Sequence, residues 1–403
     1  MSPAGAMRIL IAHEALAGAG GVESYLASVI PALLSQGHAV GYLHFDPRQQ
    51  PGPTRLEFSD VPSFGVTDDG LERSIAAVAA WGPDVCFSHN MGALDVDEAL
   101  VARWPTIKMM HGYFGTCISG HKAHAFPSIV PCTREFGAPC LTLFFPRHCG
   151  QLRPFKMATQ FKWNWRQRRL FDRYAGVVVA SVHMEAEYLR HGVPRARLLT
   201  APLFPTSAPA STPRVAPSQP TVLFAGRMTE LKGPRVLVSA IARASALLGR
   251  PVHLVLAGEG PERERLRSLS MSLGVHATFP GWVTGDERIA LMRLATIIAV
   301  PSLWPEPFGL VGLEAAVHGV PSVAFDVGGI SEWLRDGING RLVTERGSAP
   351  ALGTAIAELL GDPATLASME RGALTVSAEM SLDVHLAHLE RAFRAAISQA
   401  VRA

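Results

Sequence analysis

The chain contains no run of about 18 apolar residues, the length a membrane-spanning helix requires, although 48% of its 403 residues are hydrophobic. Charge is scarce at 18%. That balance excludes a disordered chain and fits one that buries a core. The N-terminus, MSPAGAMRILIAHEAL, lacks a signal-peptide layout: the apolar stretch Ile9–Ile11 is short, and no small-residue cleavage site follows it. The expectation is a cytoplasmic protein. Cysteines number only 5, with no C-x-x-C pair among them, so the commonest zinc-site spacing is absent. The net charge of +3 is small and its distribution says more than its size. A length of 403 residues exceeds one ordinary core, so two domains are expected.

What is present centres on Val300–Gly329, VPSLWPEPFGLVGLEAAVHGVPSVAFDVGG. It reads as a buried strand ending near Ser302, a Pro-broken loop from Leu303 to Phe308, a helix from about Gly309 to His318, and a strand from Val320 to Phe325. Pro305 and Pro307 keep the loop out of the helix. Gly309, without a Cβ, lets a ligand approach the first free N–H groups at Phe308, Gly309 and Leu310, where an anion is favoured. Glu306 and Glu314 flank that point. Phosphates in the middle and hydroxyls at both ends describe a nucleotide sugar, and carboxylates discriminate sharply for hydroxyl donors. For either Glu alone a solvated surface role is the ordinary reading; the string E-P-F-G-x-x-x-x-E favours the functional one.

Along the chain, Met7–Ala12 is a continuous apolar run, as in a buried parallel strand. The Gly18-Ala19-Gly20-Gly21 turn then opens a helix from about Val22 to Ser35. A Gly-rich turn there can cradle a phosphate, although the order is not G-x-G-x-x-G. Further strands are expected at Val40–Phe45, Asp84–His89 and Thr106–His111. A His at the carboxyl end of a strand sits where open α/β sheets bind ligands; His111 is either such a functional group or a satisfied rim histidine, and His89 is the second candidate. Asp95-Val96-Asp97 reads as an ordinary helix start rather than a metal-binding D-x-D. Residues 112–150 form an insertion holding Cys117, Cys132, Cys140 and Cys149, for which packed thiols, a structural zinc and a redox-sensitive pair are all open. The segment 151–173 is basic and aromatic, with Phe155, Phe161, Trp163, Trp165 and Phe171. It is a solvated helix with half its aromatics in the core, or a peripheral contact with anionic lipid; nucleic acid is not expected.

Residues 206–220 are a Pro-, Ser- and Ala-rich linker, after which Thr221–Ala225 restarts a parallel sheet. Gly226–Gly233 follows that strand, and Arg227 and Lys232 on this loop can neutralise a diphosphate. The expected domains are 1–205, 221–380 and a final helical stretch 381–403 that returns to the first domain.

The stretch from Glu306 to Ala315 closely resembles the donor-site signature E-x-F-G-x-x-x-x-E-A of the retaining glycosyltransferases of family 4, and the likeness extends over most of the chain. The resemblance implies an α/β protein of the GT-B fold, two doubly wound Rossmann-like domains facing across a cleft. It implies retaining transfer of a sugar from a UDP- or GDP-sugar to an acceptor hydroxyl, without a required metal. It assigns Arg227 and Lys232 to the diphosphate, Gly20 and Gly21 to the same group, Gly258 to the G-x-G-P turn, Trp282 and Val283 to the nucleobase, Glu314 to the ribose and His111 to the neighbourhood of the sugar, while Glu306 holds sugar hydroxyls. The acceptor is a saccharide, a lipid-linked or a small molecule. An epimerase on the same fold, a non-catalytic nucleotide-sugar binder and a membrane-docking scaffold are the alternatives.

Overall fold

The computed structural model describes residues 5–402 except 19, 46–53, 57, 208–213, 215–216 and 218. The linker expected at 206–220 therefore lies mostly outside the described residues, as does Ala19 of the first Gly-rich turn. The chain divides into two compact units. One comprises Met1–Lys122, Thr133–Pro202 and Leu382–Ala403; the other comprises Ala123–Cys132 and Leu203–Ser381. Part of the Cys-bearing insertion, 123–132, thus groups with the second unit rather than the first.

In the first unit, apolar runs become strands β1 (Arg8–His13), β2 (Ala39–His44), β3 (Ser63–Gly65), β4 (Val85–Ser88), β5 (Thr106–Met110), β6 (Gly176–Val179) and β7 (Leu198–Thr200). Among the described residues they form one parallel sheet in the order β7-β6-β5-β4-β1-β2-β3. Ile9 pairs with Val40 on one side and Val85 on the other, and both faces of the central strands are buried. Such strands read as continuous apolar runs because helices cover the sheet twice. Helices α1 (Gly21–Ser35), α2 (Leu94–Val101), α3 (Pro154–Arg169) and, from the far end of the chain, α7 (Leu382–Arg402) belong to this unit. Successive strand residues point to opposite faces. Phe87 meets Phe393 of α7 at 5.2 Å, whereas Ser88 bonds Asp97 of α2, so α7 and α2 cover opposite faces.

The second unit repeats the plan. Strands β8 (Thr221–Ala225), β9 (His253–Ala257), β10 (Ala277–Gly281), β11 (Ile297–Val300), β12 (Ser322–Phe325) and β13 (Gly340–Val343) form a parallel sheet in the order β10-β9-β8-β11-β12-β13. The order reverses beside β8, and ligands of open α/β sheets bind at the carboxyl ends of strands near such a reversal. Helices α4 (Pro234–Leu248), α5 (Gly285–Leu294) and α6 (Val311–Ala316) follow β8, β10 and β11. Pro234 opens α4 at its first turn, where its missing N–H costs nothing. No helix among the described residues is long and apolar enough to cross a membrane.

Candidate functional site

The carboxyl ends of β8 and β11 in the second unit carry the densest polar cluster of the motif stretch. Glu306 is 3% exposed, which excludes the solvated-surface reading of that residue. Its Oε1 accepts from Lys232 Nζ at 2.7 Å, from Trp304 Nε1 at 2.9 Å and from Ser302 Oγ. The Lys232 ammonium also lies 5.5 Å from the centre of the Trp304 ring. Three donors on one oxygen fix the carboxylate's position; charge-assisted bonds of this kind are about twice as strong as neutral ones. Ser302 and Trp304 were not singled out from the sequence. Their signal was spacing alone, since both lie within four residues of Glu306 on the loop that Pro305 and Pro307 stiffen.

Arg227 stands on the same loop as Lys232 and is exposed. That loop is braced from the next strand: Gly226 N–H donates to Ala257 O, and Met228 N–H to Glu259 O at 2.8 Å. Gly258 makes this close approach feasible. Its φ is +135°, and a Cβ there would lie 2.0 Å from Gly226 O. Its N–H donates to Gly281 O at 2.7 Å, so Gly258 shapes the loop beneath Arg227 instead of offering its own donor to a phosphate.

The helix after the motif loop differs from the sequence expectation. Instead of about Gly309–His318, α6 covers only Val311–Ala316. His318 N–H and Gly319 N–H reach back three residues, to Ala315 O and Ala316 O, which tightens the last turn and ends it early. A helix this short has a small macrodipole; the anion-attracting groups are then the individual N–H groups opening the turn at Gly309, Leu310 and Val311. Gly309 itself is required by its φ of +78°, and its Cβ position faces Ile330 Cγ1 at 3.1 Å rather than open space. Phe308 is buried, and its carbonyl accepts from Trp333 Nε1 at 2.7 Å, which holds the E-P-F-G turn in place. The Gly328-Gly329 turn also serves the loop: Gly329 N–H donates to Glu306 O at 2.7 Å.

Glu314 is 5% exposed. Both of its oxygens accept from Arg288 Nη1, at 3.2 and 3.1 Å, and Oε1 also accepts from Thr206 Oγ1 at 2.8 Å. Arg288, on α5, and Thr206 carry no local signal, because they lie 26 and 108 residues from Glu314 in the chain. Trp282 is 49% exposed, and Val283 packs against the core cluster around Leu223 and Ala315.

In the first unit, His111 follows β5 directly and its Nε2 lies 2.9 Å from His89 Nδ1. Burial, with His13 and Lys108 adding to it, lowers the His111 pKa to about 3, and burial likewise holds His89 well below the usual range. Both are neutral, so one imidazole donates the shared proton and the other accepts it. Tyr25 packs against both rings and its hydroxyl meets His385 Nε2 at 2.8 Å. His13 Nε2 lies 3.4 Å from Glu23 Oε1, beside Gly20, which precedes α1. Gly21 opens α1, and a Cβ there would meet open space. Asp95 and Asp97 do not cap α2, whose N-terminal position is Ala93 without a side-chain cap. Asp97 is fully buried and takes Lys108 Nζ at 2.6 Å; Asp95 pairs with Arg166.

No group of three or more His, Cys, Asp or Glu among the described residues is placed to hold a metal ion. Cys117 Sγ accepts from Lys122 N–H at 3.3 Å, while Cys140 and Cys149 pack against Ile118, Phe136 and Phe144. In α3 and its flanks the aromatics divide. Phe171 is buried, but Phe155 is 82% and Trp165 46% exposed.

Residues 212–375 match the family model of glycosyl transferases group 1. The D-inositol 3-phosphate glycosyltransferase of Nocardia farcinica is 37% identical over 178 residues, 41% of this chain and 38% of that protein. The phosphatidyl-myo-inositol mannosyltransferase of Mycobacterium leprae is 39% identical over 141 residues, 35% and 37% of the two chains. The chain thus spans well under half the length of the curated relatives it matches. Anabaena HepE, solved in complex with UDP and glucose, superposes with a TM-score of 0.69 at 21% identity, covering 96% of this chain and 99% of that one.

Proposed function

We propose that the chain, whose residues 212–375 match the model of glycosyl transferases group 1 and which has the GT-B fold, transfers a sugar from a nucleoside diphosphate to an acceptor hydroxyl with retention at the anomeric carbon. The observation that carries this reading is the Lys232–Glu306 pair at 2.7 Å with Ser302 and Trp304 around it. A carboxylate held by three donors keeps its second oxygen for sugar hydroxyls, and a lysine beside it meets the leaving diphosphate.

In the transition state the anomeric carbon becomes oxocarbenium-like while negative charge grows on the diphosphate. Lys232, Arg227 and the N–H groups at Gly309 and Leu310 oppose that charge. They do so before reaction begins, so little reorganisation is needed. The leaving phosphate oxygen takes the acceptor's proton as the acceptor attacks from the same face, so no protein nucleophile is needed. Glu314, bound to Arg288 and Thr206, accepts the ribose hydroxyls. For Gly20, Gly21 and His111 the family pattern supports contact with the diphosphate and assistance beside the sugar; a neutral His111 suits hydrogen bonding to a hydroxyl. Trp282 and Val283 are the proposed nucleobase contacts. UDP, the nucleotide of the HepE complex, is the first donor to test, with a hexose as its sugar.

The exposed Phe155 and Trp165, amid the cations of 151–173, favour a peripheral contact with anionic lipid, and a lipid-linked acceptor is consistent with it. Vesicles containing acidic phospholipid should then retain the protein, and Phe155→Ala should weaken retention.

The deciding experiment is a screen of UDP- and GDP-sugars by thermal shift, followed by transfer assays on Lys232→Ala and Glu306→Ala. A ligand that binds only the folded state raises apparent stability, and each substitution should cut transfer by at least about two orders of magnitude. Donor consumed without an acceptor would favour an epimerase; binding without turnover would favour a sensor.

A further inference from the structure

A slot of about 210 Å³ opens in the first unit at the carboxyl ends of β1, β4 and β5, under α3. It is smaller than the roughly 300 Å³ at which pockets for drug-sized ligands begin, and suits a single ring. One wall is aromatic: Trp163 stands edge-on to Phe114 at 5.7 Å, and its Nε1 donates to Gly92 O at 2.7 Å. Buried Met91 and Met110 form the floor.

The polar groups of the slot are unequally occupied. Lys108 lines it, but its ammonium is already bound to Asp97 at 2.6 Å, Ser88 Oγ at 3.0 Å and His89 O. Gln167 is fully buried and lines the same slot. Its Nε2 donates to Tyr174 OH at 3.0 Å, and Tyr174 OH donates to Asp97 Oδ2 at 2.9 Å. The tyrosine has given its only proton to the carboxylate, so it can only accept from Gln167. That fixes the amide's orientation and leaves Gln167 Oε1 as a buried acceptor without a hydrogen-bond partner. Glu14 adds a carboxylate beside Gly92, where a Cβ would meet Glu14 Oε1 at 2.6 Å. Asn90, with an amide, and the neutral His89 complete the polar lining.

A buried acceptor is left unpaired only at a cost, so a fitting ligand supplies donors. Hydroxyls directed at Gln167 Oε1 and Glu14, with a C–H face on Trp163, meet all three features. A phosphate meets none of them: Glu14 repels it, and the one cation in the lining is neutralised by Asp97.

We propose that this slot binds a single neutral hydroxylated ring, a sugar or cyclic polyol, and discriminates against its phosphorylated form. Its role as the acceptor of the proposed transfer rests on that functional reading; the binding itself does not.

Saturation-transfer NMR on the full chain tests it, with methyl glucopyranoside and myo-inositol as neutral probes and glucose 6-phosphate as the charged one. At least one neutral ring should bind, and glucose 6-phosphate at least tenfold more weakly. Gln167→Met, nearly isosteric, should lower neutral-ring affinity about tenfold. Glu14→Gln, at the slot's less buried edge, should narrow the gap between neutral and phosphorylated rings. The proposal is overturned if no neutral probe binds at millimolar concentration, if glucose 6-phosphate binds as tightly as the neutral rings, or if both variants match the wild type. A parallel titration of the wild type with UDP separates the two readings: UDP binding without ring binding sinks the slot alone, and ring binding without UDP binding sinks the donor site alone.

Discussion

Glu306 receives an ammonium, an indole N–H and a hydroxyl on a single oxygen, and each donor contributes differently. Lys232 brings charge that a diphosphate can claim. Under the proposed function, Trp304 and Ser302 supply neutral donors that remain when Lys232 turns to the diphosphate. Replacing Trp304 by Phe keeps a ring over Lys232 and removes only the indole donor. Because a hydrogen bond to a charged group contributes about 1.5–3 kcal/mol, Trp304→Phe should lower kcat/KM by roughly ten- to a hundredfold while leaving the folded state intact, as read by steady-state kinetics beside circular dichroism. An unchanged kcat/KM would show that Lys232 and Ser302 suffice to place the carboxylate. Gly258 acts without touching a ligand. A methyl group there would press on Gly226 O at 2.0 Å and hold a positive φ of +135°, where the backbone strain alone is about 1–3 kcal/mol. Gly258→Ala should therefore lower the urea midpoint and weaken donor binding together, because the loop it displaces carries Arg227.

At the scale of elements, the first sheet is tied to α2 and α3 by a buried polar chain, Lys108–Asp97–Tyr174–Gln167. Removing one partner of such an ion pair strands a buried charge and costs about 3–5 kcal/mol. Asp97→Ala should fall in that range by urea denaturation. The double variant Asp97→Ala, Lys108→Met should recover much of it, since no charge is then left alone; equal losses for single and double variants would contradict the ion-pair account. This chain also marks the limit of sequence reading. The strands were legible because continuous apolar runs between glycine turns have few other solutions, and the 303–310 loop stood out because Pro, Phe, Gly and two Glu stand at fixed local spacing. Asp97 was not: in sequence it looks like a helix-start aspartate, and only the fold brings it to Lys108 eleven residues on and to Tyr174 seventy-seven residues on. Arg288 and Thr206 escaped for the same reason, and α6 was read too long because periodicity does not report where a last turn tightens. Gly258 and Gly329 use their N–H groups within the protein, which no local pattern reveals.

For the molecule as a whole, the histidines of the first unit set a stability that depends on pH. Burial lowers the pKa of His111 to about 3 and of His385 and His191 to about 4, and holds His89 well down. In the unfolded chain each returns to about 6.5. Between the folded and unfolded values the unfolded state binds the extra protons, so stability rises with pH through this window and is lost as pH falls from about 6.5 toward 4. Each such histidine contributes at most about 1.4 kcal/mol per pH unit there. Glu23, lowered chiefly by its bond to His13, acts in the same direction once pH drops below its unfolded value. Three of the four histidines, His89, His111 and His385, gather around Tyr25, so acidification should open that region first. Hydrogen exchange at pH 7.5 and pH 5.0 should show amides of β4, β5 and α7 losing protection at the lower pH well before those of β8 and β9. His111→Asn removes one titrating ring and keeps a hydrogen-bonding group next to His89. It should therefore flatten the acid slope of the urea midpoint by the share of one proton, whereas an unchanged slope would mean that His111 already carries its proton in the folded state.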